Sequence, residues 1–341
     1  MTNAWVLMTA MSPTFGHKAI IDFASELDVV RANVLVNTMP DEPFPSARVW
    51  ALKEHYRYNP RVDVMSYNKV IQQVPAGDDD VDFWNMWDRL LRQYGFQTGD
   101  YIVASETYGI KLAEVCGGVF MPYDPSREIV AARATNIRTS TQHEFGYILP
   151  EFQKYLRKTI TIFGAESTGK TTLSNALRYA LPGEAHRIPE YARPYLETVG
   201  NDLDDGVMTR IWKGQRALQR SAGRAAEGYP YIIQDTDLYS TVGYWEFWSP
   251  NTVPDKLRTD ARLHASDLYV ITQSNVPFEP DPLRYGGDKR EATDEYWIEL
   301  CETYHLPYVV LQSSEIEGRI AEAKAHATKL FGNPLEYQRQ T

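Results

Sequence analysis

The sequence predicts an α/β protein built of two parallel-sheet domains. Three observations carry this expectation. Short β-rich runs alternate with longer helical patterns along the chain, the arrangement that yields parallel strands joined by crossover helices. The 341 residues suffice for two ordinary domains. A glycine-rich loop at residues 164–171 follows an apolar run and opens a helical pattern, so a new strand–loop–helix unit begins at mid-chain.

Taken in order, the first half carries candidate strands at residues 4–9, 33–37, 62–66, 101–104 and 118–121, with helical patterns at 17–26, 46–58, 81–94 and 107–115. The second half carries candidate strands at 159–163, 231–234, 268–272 and 308–311, with another ahead of Pro189. Helical patterns lie at 170–180, 207–226, 294–304 and 315–330. The charged and aromatic segment 150–158 separates the halves, giving domains 1–157 and 158–341. It is too short for a flexible linker.

Composition narrows the function. The chain is 43% hydrophobic and 23% charged, as soluble globular proteins are. A formal net charge of −10 argues against general nucleic-acid binding, which needs a basic face. Cys116 and Cys301 are the two cysteines and form no C-x-x-C pair, which excludes a disulfide framework and fits a reducing cytoplasm. Residues 1–10 lack a basic flank and read as a strand, not a signal peptide. No apolar window approaches membrane-spanning length, so no membrane association is expected. Whether copies associate into a homo-oligomer is left open. The cluster Asp78-Asp79-Asp80 reads as a solvated loop.

The strongest motif is Gly164-Ala165-Glu166-Ser167-Thr168-Gly169-Lys170-Thr171, followed by Thr172. It matches the phosphate-binding P-loop in full. Gly164 and Gly169 supply backbone angles that a Cβ forbids, so that loop amides converge on phosphates beside the positive end of a helix. Lys170 places a charge between the β- and γ-phosphates of ATP, and the Thr171 hydroxyl ligates Mg²⁺. Asp235-Thr236-Asp237 closes an apolar run, where the carboxyl ends of parallel strands form the active rim. One aspartate is suited to Mg²⁺, Asp235 being the assigned ligand. The other is suited to accepting a hydroxyl proton, and helix capping is the alternative for the pair. Glu190 and Arg193 fall where the phosphate acceptor would lie, with a surface ion pair as the alternative. Residues 282–290 carry Gly286 and Gly287 between cations and read as a lid whose Arg284 and Arg290 close over the triphosphate. A small-molecule kinase fits this set.

In the first half, Thr14-Phe15-Gly16-His17 matches the [HT]-x-G-H pattern, in which a histidine at a helix start holds phosphate charge. Ala134-Thr135-Asn136-Ile137-Arg138-Thr139-Ser140 offers hydroxyls and an arginine ahead of a helix, suited to a second phosphate. Trp84 and Trp87 share a helical face and could wall a cationic pyridinium ring; core packing is the alternative.

In this order and spacing, the motifs resemble the NadR family, which joins a nicotinamide mononucleotide adenylyltransferase domain to a ribosylnicotinamide kinase domain. Trp84-x-x-Trp87, Asp124-Pro125-Ser126-Arg127, Thr135 to Thr139, the P-loop, Glu190-Tyr191-Ala192-Arg193, Asp235-Thr236-Asp237 and Leu283-Arg284 carry the likeness across nearly the whole chain. The resemblance implies a Rossmann-like nucleotidyltransferase fold followed by a P-loop kinase fold. It implies phosphorylation of nicotinamide riboside (NR) to the mononucleotide (NMN), then adenylyl transfer from a second ATP to give NAD and pyrophosphate. In that scheme His17 and Arg138 stabilise phosphates, and one tryptophan stacks on the nicotinamide ring. The chain departs from the family at Thr9-Ala10-Met11, where a glycine and a basic residue are usual, and at Thr14, where a histidine is usual. Because the chain begins directly at the first strand, no DNA-binding helix-turn-helix and no repressor role are expected. The alternative is a riboside kinase whose N-terminal domain senses nicotinamide nucleotides without catalysis. A non-enzymatic ATP-dependent switch is a third reading.

Overall fold

The computed structural model describes residues 2–77, 80–126, 128–130, 134–200, 204–279 and 292–336. The chain divides into two compact units. One holds the chain through Tyr155 together with the segment starting at Asn333, and the other runs from Leu156 to Gly332. The last residues therefore group with the first unit, where fully buried Leu335 anchors them.

The first unit runs β1 (Ala4–Met8), α1 (Phe15–Glu26), β2 (Ala32–Asn37), α2 (Pro45–His55), β3 (Val62–Tyr67), α3 (Val81–Gln93), β4 (Tyr101–Ala104), α4 (Tyr108–Cys116), β5 (Val119–Pro122), α5 (Ala134–Thr139) and α6 (Pro150–Gln153). The five strands are all parallel, in the order β3-β2-β1-β4-β5. The interior strand β2 is buried at every position, as expected for a strand covered on both faces. Trp5 of β1 packs in the core and donates its indole N–H to Asp100 at 3.0 Å. Strand order reverses between β1 and β4, which opens a crevice at their carboxyl ends.

The second unit runs β6 (Lys158–Phe163), α7 (Lys170–Ala180), β7 (Ala185–Ile188), α8 (Ala192–Val199), α9 (Asp205–Ala225), β8 (Tyr231–Asp235), α10 (Leu238–Trp248), α11 (Asp255–Leu263), β9 (Leu268–Ile271), α12 (Asp294–Thr303), β10 (Tyr308–Val310) and α13 (Ile316–Phe331). These strands are also all parallel, in the order β10-β9-β6-β8-β7, with the P-loop strand in the middle. A core of Phe163, Tyr239, Trp245, Tyr269 and Trp297 packs between this sheet and α10 and α12.

The α/β class and both parallel sheets are as the sequence predicts. Among the described residues five helices are additional: α5, α6, α8, α10 and α11. Residues 134–139, expected to precede a helix, form α5 itself. α10 and α11 were not anticipated. α10 is buried from Leu238 to Gly243 and again at Trp245, so its sequence lacks the polar stripe that marks an amphipathic helix.

Candidate nucleotide-binding sites

The P-loop leaves β6 and curls onto the start of α7. Gly164 holds φ +131, and a Cβ there would meet the Thr272 carbonyl at 2.6 Å. Gly169 holds φ +82 as it enters α7, and Ser167 is left-handed at φ +54. Thr168 donates to the Ala165 carbonyl at 2.8 Å, and its hydroxyl lies 2.7 Å from that of Thr272. Lys170 reaches back to the carbonyls of Gly164 (3.0 Å) and Ala165 (2.6 Å). Its ammonium is thereby held inside the loop, where it can meet phosphate oxygens.

A residue that the sequence reading missed supports this loop. Arg319 of α13 is buried and donates to the carbonyls of Thr168 (2.6 Å), Gln273 (2.9 Å) and Ser313 (2.9 Å). It ties the P-loop to the segments that follow β9 and β10. Its partners are these three carbonyls and the Asn275 side-chain oxygen, and all but Ser313 are distant in sequence, so no local motif announces it.

The loop opens into a cavity of about 630 Å³. Glu166 through Thr172 line it. Glu190 and Arg193 line it too, together with Gln215, Tyr244 and Trp248. Tyr244 and Trp248 stack at 4.8 Å and 16°. The structure thus brings Glu166, Ser167, Thr168, Gly169, Lys170, Thr171, Thr172, Glu190 and Arg193 to one cavity. Arg284 and Arg290, with the rest of the expected lid, lie outside the described residues.

The two aspartates separate. Asp235 ends β8 and receives the Arg187 guanidinium at 2.6 Å, while its second oxygen, Oδ1, is buried without a partner among the described residues. Arg187 of β7 also donates to Ser174 of α7 at 2.9 Å, so it links three elements. Asp237 takes the helix-capping position that the sequence offered as the alternative. Its carboxylate caps α10, accepting from the amides of Tyr239 (2.9 Å) and Ser240 (3.1 Å), and takes the Tyr269 hydroxyl at 2.7 Å. Neither carboxylate lines the cavity; Thr236, between them, does. Burial pushes the Asp237 carboxyl up to about 6, against the opposing pull of its hydrogen-bond donors.

In the first unit, a second cavity of about 590 Å³ sits at the carboxyl ends of β1, β2 and β4. Thr14 caps α1. Its hydroxyl accepts from the His17 amide at 3.3 Å, and its own amide donates to His17 Nδ1 at 3.2 Å. Since Nδ1 accepts, Nε2 carries the ring proton. Burial lowers the imidazole pKa to about 4, so His17 is a neutral donor at pH 7. Thr14, Gly16, His17, Trp84 and Trp87 all line this cavity. Arg138 does not: it is exposed in the last turn of α5. Arg127 lies outside the described residues.

Ala10, inside the departing Thr9-Ala10-Met11 segment, holds φ +44, a conformation a glycine would adopt freely. A cation does reach this segment. Buried Arg48 of α2 donates to the Thr9 carbonyl at 3.1 Å and contacts the Met11 sulfur at 2.9 Å. It is paired with Glu42 at 2.7 Å, and neither partner lines the cavity. The acidic run also resolves in part: Asp80 caps α3 through the Phe83 amide at 3.1 Å, while Asp78 and Asp79 lie outside the described residues. Cys116 and Cys301 are free and buried, and burial pushes each thiol up to about 12.

The fold and the loop define a class first: a nucleotide-handling P-loop protein of two α/β units, each built on an all-parallel five-stranded sheet. A family model described as an AAA domain matches residues 159–319. The particular likeness is to NadR. The chain is 22% identical over 309 residues to the trifunctional NAD biosynthesis/regulator protein NadR of Salmonella typhimurium, spanning 87% of this chain and 72% of that one. The Escherichia coli protein of the same description matches to the same extent. A solved NadR structure in complex with NR has a TM-score of 0.62 at 18% identity and covers both chains fully. Another, with NAD and AMP-PNP, has the same score at 19% identity, covering 99% of this chain and 98% of that one. No helix among the described residues is long and apolar enough to cross a membrane.

Proposed function

We propose that the chain is a bifunctional enzyme of NAD synthesis. The second unit phosphorylates nicotinamide riboside with ATP, and the first joins the mononucleotide to AMP from a second ATP. The observation that carries the reading is the cavity of the second unit, about 630 Å³, which the P-loop lines together with Glu190 and Arg193. The likeness to NadR proteins solved with NR, and with NAD and AMP-PNP, supports it.

In the kinase step Lys170 and the loop amides hold the triphosphate. Glu190 and Arg193 hold the sugar hydroxyls, and the aromatic rings of Tyr244 and Trp248 take the pyridinium face. Magnesium fits the oxygens present: the Thr171 hydroxyl lines the cavity, and Asp235, whose Oδ1 has no partner among the described residues, adjoins cavity-lining Thr236, so few hard donors are supplied and sites are left for phosphate. Bound there, it would neutralise charge on the β- and γ-phosphates. In the adenylyl step His17 donates Nε2–H to phosphate oxygens, assisted by the amides at the start of α1. Trp84 or Trp87 stacks on nicotinamide; Arg138, exposed on α5 and off the cavity lining, takes no part in this step.

One observation favours the kinase-only reading. The described residues lining the first cavity include Glu106 and Asp124 but no lysine or arginine. Incubation of the chain with nicotinamide riboside, ATP and Mg²⁺, followed by chromatography, decides between them. NAD is the expected product. A stop at the mononucleotide leaves the kinase alone, and no turnover overturns both. Lys170→Ala should lower riboside phosphorylation by about 10²-fold or more and spare the mononucleotide-to-NAD step; His17→Ala should do the reverse.

A further inference from the structure

Buried polar groups in folded proteins are almost always paired, so each exception asks for a cause. Three exceptions line the cavity of the first unit. Among the described residues the indole N–H groups of Trp84 and Trp87 have no partner, and neither do the amide nitrogen and carbonyl oxygen of Asn37. All three side chains are over nine-tenths buried, with exposures of 5%, 8% and 4%.

Unpaired indoles also occur away from this cavity, at Trp245 and Trp297 in the core of the second unit. Asn37 is different. Among the described buried amides it alone leaves both ends unpaired, while Gln215 and Gln219 each leave one. Other buried polar groups of the unit that lack a partner at one atom, Glu42, Arg48, Asp88 and Glu151, are paired through another, whereas Trp5 finds Asp100 and Tyr56 finds Asp22. The position of Asn37 is set by the sheet. It is the last residue of β2, in register with Tyr67, at the carboxyl edge beside the strand-order reversal. An apolar residue there would cost nothing to bury, whereas an amide left unmade costs the desolvation of both its ends.

The geometry points to Asn37 as a specificity-determining residue of the adenylyl-transfer site, reading a carboxamide carried on an aromatic ring; the assignment rests on the function proposed above. A ligand carboxamide has one acceptor and one donor, the complement of Asn37. The Asn37 amide donates to the ligand carbonyl and its oxygen accepts from the ligand NH₂, closing a two-bond ring. Trp84 and Trp87 supply the apolar wall and further donors. A ring carboxylate has no hydrogen to give, so Asn37 would keep one end unpaired. Glu106 and Asp124 on the same cavity would repel it further while favouring a pyridinium cation. Sites built to hydrogen-bond a substrate group discriminate strongly against analogues lacking it.

The test is the ratio of kcat/KM for dinucleotide formation from nicotinamide mononucleotide and from nicotinate mononucleotide. The wild type should prefer the amide by at least about tenfold. Asn37→Leu, of similar volume but without polar atoms, should cut that preference about tenfold, with the loss falling on the amide substrate. The unfolding midpoint of the variant reports on its fold, and Asn37→Ala replaces it if the leucine is not accommodated. A folded variant that keeps the wild-type ratio overturns the assignment, and so does a wild type that treats the two substrates alike, with no variant needed. A wild type that forms no dinucleotide from either substrate overturns the adenylyl-transfer reading itself, and this assignment with it.

Discussion

At Thr236 the backbone turns left-handed, with φ +68, at a β-branched residue for which that region is strained. The turn puts Thr236 on the cavity and sends the carboxylates on either side of it elsewhere, Asp235 to Arg187 and Asp237 to the start of α10. An aspartate at the end of a β-strand and one that caps a helix carry the same local signature, which is why the sequence admitted both roles. Asn is as good a cap as Asp. Asp237→Asn should therefore leave riboside phosphorylation within about tenfold of wild type, whereas loss of a general base costs about 10²–10⁴-fold. The pH dependence has a defined sign. Folded Asp237 keeps its proton up to about pH 6, while an unfolded aspartate releases it near 3.8. Its contribution to stability is full below pH 3.8 and is lost as pH rises through 6. Urea denaturation of the variant from pH 3.5 to 7 should show that this loss is gone; an unaltered pH profile would refute the assigned shift.

Elements decide where Glu190 stands. It follows β7 in a short segment whose Tyr191 amide donates to Gln215 of α9 at 2.8 Å. The Tyr191 ring lies against Gly214, where a Cβ would come within 1.9 Å of the ring. Gly214 sits inside a helix at an ordinary φ, so its sequence reads as a weak point in a helical pattern, not as a contact. Gly214→Ala should push α9 away from the Glu190–Arg193 segment. The expected cost is about 1–3 kcal/mol of stability by overpacking. The KM for riboside should rise and that for ATP stay close to wild type, because the P-loop is built on other elements. Steady-state kinetics checks this; equal effects on both substrates would mean that α9 supports the whole cavity. α10 shows the same limit of local reading. Its burial on nearly all sides removes the polar face that periodicity detects, although its aromatic rings Tyr244 and Trp248 form part of the acceptor wall.

At the scale of the whole molecule, each unit owns a sheet, a core and a cavity. A fragment of residues 156–332 should therefore unfold cooperatively and bind Mg·ATP by itself. Circular dichroism and calorimetry would show this, and a molten fragment would refute it. Both parallel sheets, the position of nearly every strand and the P-loop were legible in the chain, because strand alternation, helical periodicity and glycine spacing are local properties. The Thr14–His17 pair was legible for the same reason, since cap and ring lie three residues apart. The tertiary structure alone decided that Arg187 holds Asp235, that Arg319 braces the P-loop, that the Tyr269 hydroxyl meets Asp237 and that Asn37 lines a cavity with no partner among the described residues. Each of those depends on groups brought together from distant segments or on which face of a sheet edge is left open. Such juxtapositions come from packing, and packing leaves no periodic trace in the order of residues.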